Sequence, residues 1–168
     1  MRKRKITIVR KAPFFDVLEI AKHMRARDRE EIYATRYGED ANEVARDVVG
    51  SGFYWVAYVD GRPAAVFGAY PRWPRVWSAF AFGTDDWKHA VISVTRTIRS
   101  VLMPAIYKTG AIRVDAMSLD THTDARAWLE YLGATGGETL ANWGKKGQNY
   151  TIYTWTRTKA EKLIKGLA

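Results

Sequence analysis

The 168-residue sequence contains no cysteine. Disulfides and thiolate metal sites are therefore excluded. Histidine is scarce as well: His23, His89 and His122 lie scattered, with no metal-ligand spacing. No run approaches the ~18 uncharged apolar residues that a membrane-spanning helix requires. After the basic start Met1 to Lys5, the apolar run Ile6 to Val9 is too short for a signal-peptide core. These absences predict a protein that is not secreted, located in a cytoplasm or packaged inside a particle. Repeats, low-complexity segments and linkers are also missing. One domain over residues 1–168 is expected, with basic tails at 1–5 and 158–168. No P-loop, Ser/His/Asp grouping or paired-Glu arrangement is present.

What is present is apolar and basic. An apolar fraction of 47% argues for a folded globule. The net charge is +9, from 27 Lys and Arg against 18 Asp and Glu. Cations cluster at the ends (Arg2 to Lys5, Arg10, Lys11, Arg157, Lys159, Lys162, Lys165), with Arg72 and Arg75 between. That balance fits non-specific nucleic acid, an anionic cofactor or an acidic protein. No basic helix stripe for reading DNA sequence is visible.

Periodicity sets out the elements. Lys5 to Val9 reads as a strand. Pro13 opens a helix with Phe14, Val17, Leu18, Ala21 and Met24 on one face. The charged run Arg25 to Glu31 reads as a solvated turn or short helix. Glu39 to Val49 is helical, with Ala41, Val44, Ala45 and Val48 inward, and Gly50 to Gly52 ends it. Phe53 to Val59 and Arg62 to Tyr70 are strands joined by Asp60-Gly61, a tight-hairpin signal. Pro71 to Pro74 reads as a loop and Val76 to Phe82 as a third strand. Trp87 to Met103 is the longest helix, and Pro104 should end or kink it.

The stretch Ala111 to Ala134 reads as a buried strand, Ala111 to Leu119, feeding a helix. Ala125, Trp128, Leu129 and Leu132 give that helix one apolar face. Thr121 with Asp124 forms a capping start, and Gly133 a left-handed stop. Strands at Glu138 to Asn142 and Tyr150 to Thr156 follow, then a short helix over Lys159 to Leu167.

Strand, two helices, three-strand meander, long helix, strand, helix and two strands resemble the GCN5-related N-acyltransferases (GNATs) across residues 5 to 156. The stretches Ala81 to Lys88, Trp128 to Ala134 and Gly147 to Tyr153 are similar to the short internal virion proteins of podoviruses, a divergent GNAT-like group. The resemblance implies an α/β (α+β) domain: a mixed, mostly antiparallel sheet of about six or seven strands, flanked by about four helices. It implies that Val76–Phe82 and Ala111–Leu119 splay apart to form a cofactor cleft.

In active GNATs, a loop of the form Q/R-x-x-G-x-G/A holds the coenzyme A pyrophosphate on backbone N–H groups and a helix N-terminus. The matching loop is Gly83 to His89. Acetyl-CoA there would meet Phe82, Gly83, Thr84, Lys88 and His89. Only one glycine is present, and Asp85 and Asp86 stand where an anion should sit. As caps, Thr84 or Asp85 and the two acids would favour the following helix by roughly 0.5–1 kcal/mol each. Counting back from Gly133 puts Leu129 at the family's general-acid Tyr and His122 at its helix-start Asn. Tyr131 is roughly 200° round the helix from Leu129.

For an acyl transfer, Tyr70, Asp115 and His122 are the candidates near the amine, with Asp60, Asp85 and Asp86 as other carboxylates. Asp115, unusual inside a strand, also suits an ion pair with a neighbouring Arg. His122, at a helix start, is expected to be solvated. Most meander aromatics read as core. Trp73 and Trp143, in loops beside basic residues, suit a stacking platform or a protein anchor. Two functions stand side by side: an acetyl-CoA-dependent N-acetyltransferase with no metal, and a non-catalytic phage virion protein contacting phage structural proteins or nucleic acid.

Overall fold

Strand pairing organises the molecule. The computed structural model describes residues 4–158. Seven strands form one sheet in the order β1-β2-β3-β4-β5-β7-β6. These are β1 (Ile6–Arg10), β2 (Tyr54–Val59), β3 (Arg62–Trp73), β4 (Val76–Gly83), β5 (Arg113–Leu119), β6 (Thr135–Leu140) and β7 (Tyr150–Thr156). Every pairing is antiparallel except β4 with β5. The expected α/β architecture with a mostly antiparallel sheet is observed.

Alternation along the strands builds two cores. Tyr54, Val56, Val66 and Phe82 pack under α1 (Phe14–Lys22), α2 (Ala26–Ala34) and α3 (Ala41–Ser51). Trp55, Ala57, Phe67 and Val114 face α4 (Trp87–Thr97), α5 (Met103–Lys108) and α6 (Thr123–Tyr131). Val17, Leu18 and Ala21 on α1 are buried, as are Val44, Ala45 and Val48 on α3, which follows their helical spacing. The Asp60-Gly61 hairpin has φ of 50° and 83°, the mirror-image turn that matches strand twist. Gly133 takes φ 89° just past α6.

Some expectations are corrected. Pro71 to Trp73 is not loop: β3 continues to Trp73, with a bulge between Pro71 and Trp73. At a bulge, proline's missing N–H leaves no ladder bond unmade. Pro104 does not end the long helix. A wider π-helical turn, Ile98–Leu102, precedes it, so the helical path continues through α5 with Pro104 in its first turn. Of the two readings for Arg25 to Glu31, the short helix is the one observed, as α2 starts at Ala26. Thr121 does not cap α6; the cap position is His122, without a side-chain cap bond. β6 begins at Thr135, three residues before Glu138, with a shift between Gly136 and Thr139. The helix expected at Lys159 to Leu167 lies outside the described residues.

β4 and β5 pair over three positions only, Val76–Ser78 against Arg113–Asp115. Beyond them, β4 continues to Gly83 and β5 to Leu119 without a shared ladder. The sheet therefore opens at its centre.

Candidate functional site

The opening between β4 and β5 holds a cavity of about 820 Å³. Its lining comes from both faces: Arg36 and Val48 on one side, Phe80 and Ser118 at the gap, Trp128 and Leu129 on the other. Tyr70 also lines it and is 43% exposed. Most of the wall is apolar.

Helix α2 reaches across this gap with two carboxylates. Residues three apart share a helix face, so Asp28 and Glu31 point the same way. Asp28 accepts a 2.8 Å hydrogen bond from the Gly83 N–H at the end of β4. Glu31 accepts from the Leu119 N–H at 2.7 Å and from the Ser118 hydroxyl at 3.0 Å, at the end of β5. His122 sits between the two acids, its Nδ1 3.3 Å from Glu31 and its Nε2 3.7 Å from Asp28. Arg25 closes the group with a forked pair to Asp28 at 2.7–3.0 Å and lies over the Trp87 ring. Asp28 and His122 are each 3% exposed. The solvated His122 expected from sequence is thus corrected: two carboxylates hold it inside. Tyr150 donates to the Glu31 carbonyl at 2.6 Å, and burial, then Glu31 and Glu30, push its phenol above its ordinary range.

The loop Gly83 to His89 turns its donors inward. Besides Gly83, the Thr84 N–H reaches the Ala64 carbonyl at 2.8 Å and the Asp86 N–H the Thr84 hydroxyl at 3.3 Å. Trp87 N–H bonds the Thr84 carbonyl at 2.9 Å, and His89 N–H the Asp86 carbonyl at 3.0 Å. Five of the seven N–H groups from Gly83 to His89 therefore have partners within the chain. The Gly83 carbonyl is also taken, by the Arg25 N–H at 2.9 Å. A Cβ built on Gly83 would lie 2.7 Å from the Ala64 carbonyl oxygen and 2.9 Å from the Trp87 ring. Protein atoms, not open space, fill this cradle. Asp85 is exposed, and Asp86 stands 3.4 Å from Arg62. Neither Thr84 nor Asp85 holds the cap position of α4; Asp86 does, without a side-chain cap bond.

On the opposite face α4 and α6 are drawn together across the gap. Trp87 and Trp128 meet edge to face at 5.2 Å. Trp128 Nε1 donates to the Thr95 hydroxyl at 2.9 Å, and Arg99 stacks on Tyr131 and donates to its carbonyl.

The sequence-derived candidates divide into groups. Tyr70, Ser78 and Asp115 stand opposite one another on β3, β4 and β5, in one row on one face. Asp115 already accepts from Arg113 at 2.7 Å and from Thr154 at 2.9 Å. His122 follows the turn after Leu119, which itself stands four residues along β5 from Asp115, about 13 Å at ~3.3 Å per residue. The structure therefore sets Tyr70 and Asp115 in one row, two strands apart with Ser78 between them, and leaves His122 with Asp28 and Glu31. Phe82 and Gly83 are buried, Thr84 and His89 half-buried, and Lys88 exposed. Leu129, at the family's acid position, is buried in the core. Asp60 lies in its hairpin turn, 3.2 Å from Arg4. Asp28 and Glu31 were hidden in sequence by the charged run around them. Their three-residue spacing beside the inward-facing Tyr33 was the only signal.

No family model matches the chain, and no curated protein matches it in sequence. Solved structures do. An acetyltransferase of the GNAT family from Bacillus anthracis aligns over 92% of this chain and 96% of its own, at TM-score 0.65 and 10% identity. The fold is that of the GNAT acetyltransferases. An acetyltransferase-like protein from Acinetobacter baylyi aligns at TM-score 0.71 and 14% identity, over 95% of this chain and 96% of that one. Another from Salmonella typhimurium, solved with acetyl-CoA, aligns at TM-score 0.61 and 14% identity, over 90% and 93%. At such identities the likeness is one of architecture.

In a GNAT fold, acetyl-CoA would meet the cleft at Gly83 to His89. The residues here do not fit it. A pyrophosphate needs free N–H donors and positive potential. This loop spends five of its seven N–H groups internally and presents carboxylates. Among the described residues no His, Asp and Glu cluster has a metal-holding arrangement. No helix there is long and apolar enough to cross a membrane.

Proposed function

We propose that this GNAT-fold protein does not use acetyl-CoA as a donor and works by binding. The observation that carries this reading is the Asp28 carboxylate on the Gly83 N–H, at the place where a pyrophosphate would be received. Leu129 at the acid position supports it, because a buried leucine has no proton to give a leaving thiolate. The binding role that the sequence resemblance implies is one inside a phage particle, against phage structural proteins.

Calorimetry with acetyl-CoA at millimolar concentration tests the first part. The expected result is no saturable heat. Saturable binding, or acetyl transfer to any amine, overturns it and returns the chain to the N-acyltransferases. Co-sedimentation with purified particles tests the second part. A chain that stays wholly free in infected lysates refutes a virion role.

A further inference from the structure

The sheet has a basic end that the cleft does not use. Past the last β2–β3 pair, Tyr54 with Gly68, the β3–β4 hairpin runs on to Trp73 and Val76. At ~3.3 Å per residue the tip projects about 15 Å beyond β2. The bulge between Pro71 and Trp73 leaves Arg72 out of the ladder, and Arg75 turns the tip with φ 69°. Trp73 is 56% exposed, with the Arg72 guanidinium 5.3 Å from its ring centre.

Neighbouring elements add cations at the same level. The Ile112 N–H bonds the Arg75 carbonyl, and the Arg157 N–H bonds the Ile112 carbonyl. Arg113 pairs with Val76 in register, and Arg75 Nε reaches the Gly110 carbonyl just past Lys108. Arg72, Arg75, Lys108, Arg113 and Arg157 are all exposed. Among the described residues of these elements the acid is Asp115, buried beneath Arg113.

We propose that this end of the sheet binds single-stranded nucleic acid, with the phosphates on Arg72, Arg75, Lys108 and Arg113 and a base stacked on Trp73. Arginine forks match phosphate oxygens in pairs. A solvent-facing indole beside them offers a flat apolar surface on which an unpaired base can stack. A purely acidic chain such as polyglutamate would satisfy the charges and leave that ring unused. The site is remote from the Gly83 loop, so it stands whether or not acetyl-CoA binds.

Anisotropy of a fluorescein-labelled oligothymidylate tests it. About four phosphate contacts on a single strand give a log–log salt slope near −2.8, a roughly 50-fold loss of affinity from about 50 to 200 mM salt. Arg72→Glu with Arg75→Glu should lower affinity at least tenfold. Trp73→Ala should lower it roughly tenfold with the slope unchanged, the loss expected of one stacked base. Lys22→Glu, at the other end of the sheet, should change it less than twofold. Thermal melts of each variant check that the fold is intact, and Arg72→Gln with Arg75→Gln serves if the reversal melts early. No binding at low salt overturns the proposal. So does a Lys22→Glu loss matching that of the hairpin, which would assign binding to overall charge. Equal affinity for polyglutamate, with Trp73→Ala indifferent, overturns it in favour of an acidic protein.

Discussion

Replacing Asp28 by alanine should cost this protein a large part of its stability. The carboxylate is 3% exposed, accepts from the Gly83 N–H and holds Arg25 through a forked pair. An orphaned buried N–H costs ~1–3 kcal/mol. Removing one partner of a buried ion pair costs ~3–5 kcal/mol. The Arg25 side chain is 27% exposed and can recruit water, which brings this term down to about 1–2 kcal/mol. The sum is about 3 kcal/mol, against the ~5–15 kcal/mol that a domain typically has. Urea unfolding followed by circular dichroism reads it directly. With a slope near 2 kcal/mol/M, the midpoint should fall by about 1.5 M while the slope holds. Asp28→Asn keeps an acceptor for Gly83 and loses the charge, so its midpoint should fall by about half as much. A loss under ~1 kcal/mol in Asp28→Ala, with the slope unchanged, would mean that the carboxylate does not hold the loop.

Two further outcomes follow from other parts of the fold. Gly68→Ala should destabilise by about 2–3 kcal/mol in the same assay, because the new Cβ would meet the Phe53 carbonyl oxygen and lie 2.9 Å from Tyr54 Cα, both backbone atoms that cannot step aside. A neutral result would show that the β2–β3 pairing is looser than described. At alkaline pH, the buried phenols of Tyr107 and Tyr150 have folded pKa values raised above the ordinary ~10. Stability is then fully present below about pH 10 and lost as pH rises toward the folded values, by about 1.4 kcal/mol per pH unit for each phenol. Melting temperatures from pH 9 to 11 should fall less steeply in Tyr150→Phe than in the parent; parallel slopes would contradict the buried-phenol account.

Much of the architecture was legible because it depends on periodicity and turn chemistry. Val44, Ala45 and Val48 announce a helix face, and Asp60-Gly61 announces its hairpin. These signals are local, and the structure realises them locally. The β3–β4 hairpin was half legible: Pro71 and Pro74 spoke for a loop, yet a bulge absorbed Pro71 and let the strand run on. The site was harder. Asp28 and Glu31 sit in a run of charges that looks solvated in any one-dimensional reading. Their burial depends on two N–H groups more than fifty residues away, at Gly83 and Leu119, which appear only once the strands part. His122 was misjudged for the same reason, since its neighbours come from α2 and not from its own helix. Leu129 was readable from counting alone, because the glycine stop fixes the helix frame.

The Asp28–Gly83 bond also makes the loop a receptor whose anion comes with the chain. An outside phosphate must displace a tethered carboxylate that is never diluted away, so it faces competition from an effective concentration set by the fold. With the bond to Gly83 worth about 1–3 kcal/mol, an external anion there binds roughly 5-fold to 150-fold more weakly than it would at the same loop left free. Anion binding at Gly83 is thereby opposed by an internal competitor, and a single residue on α2 sets the strength of that competition.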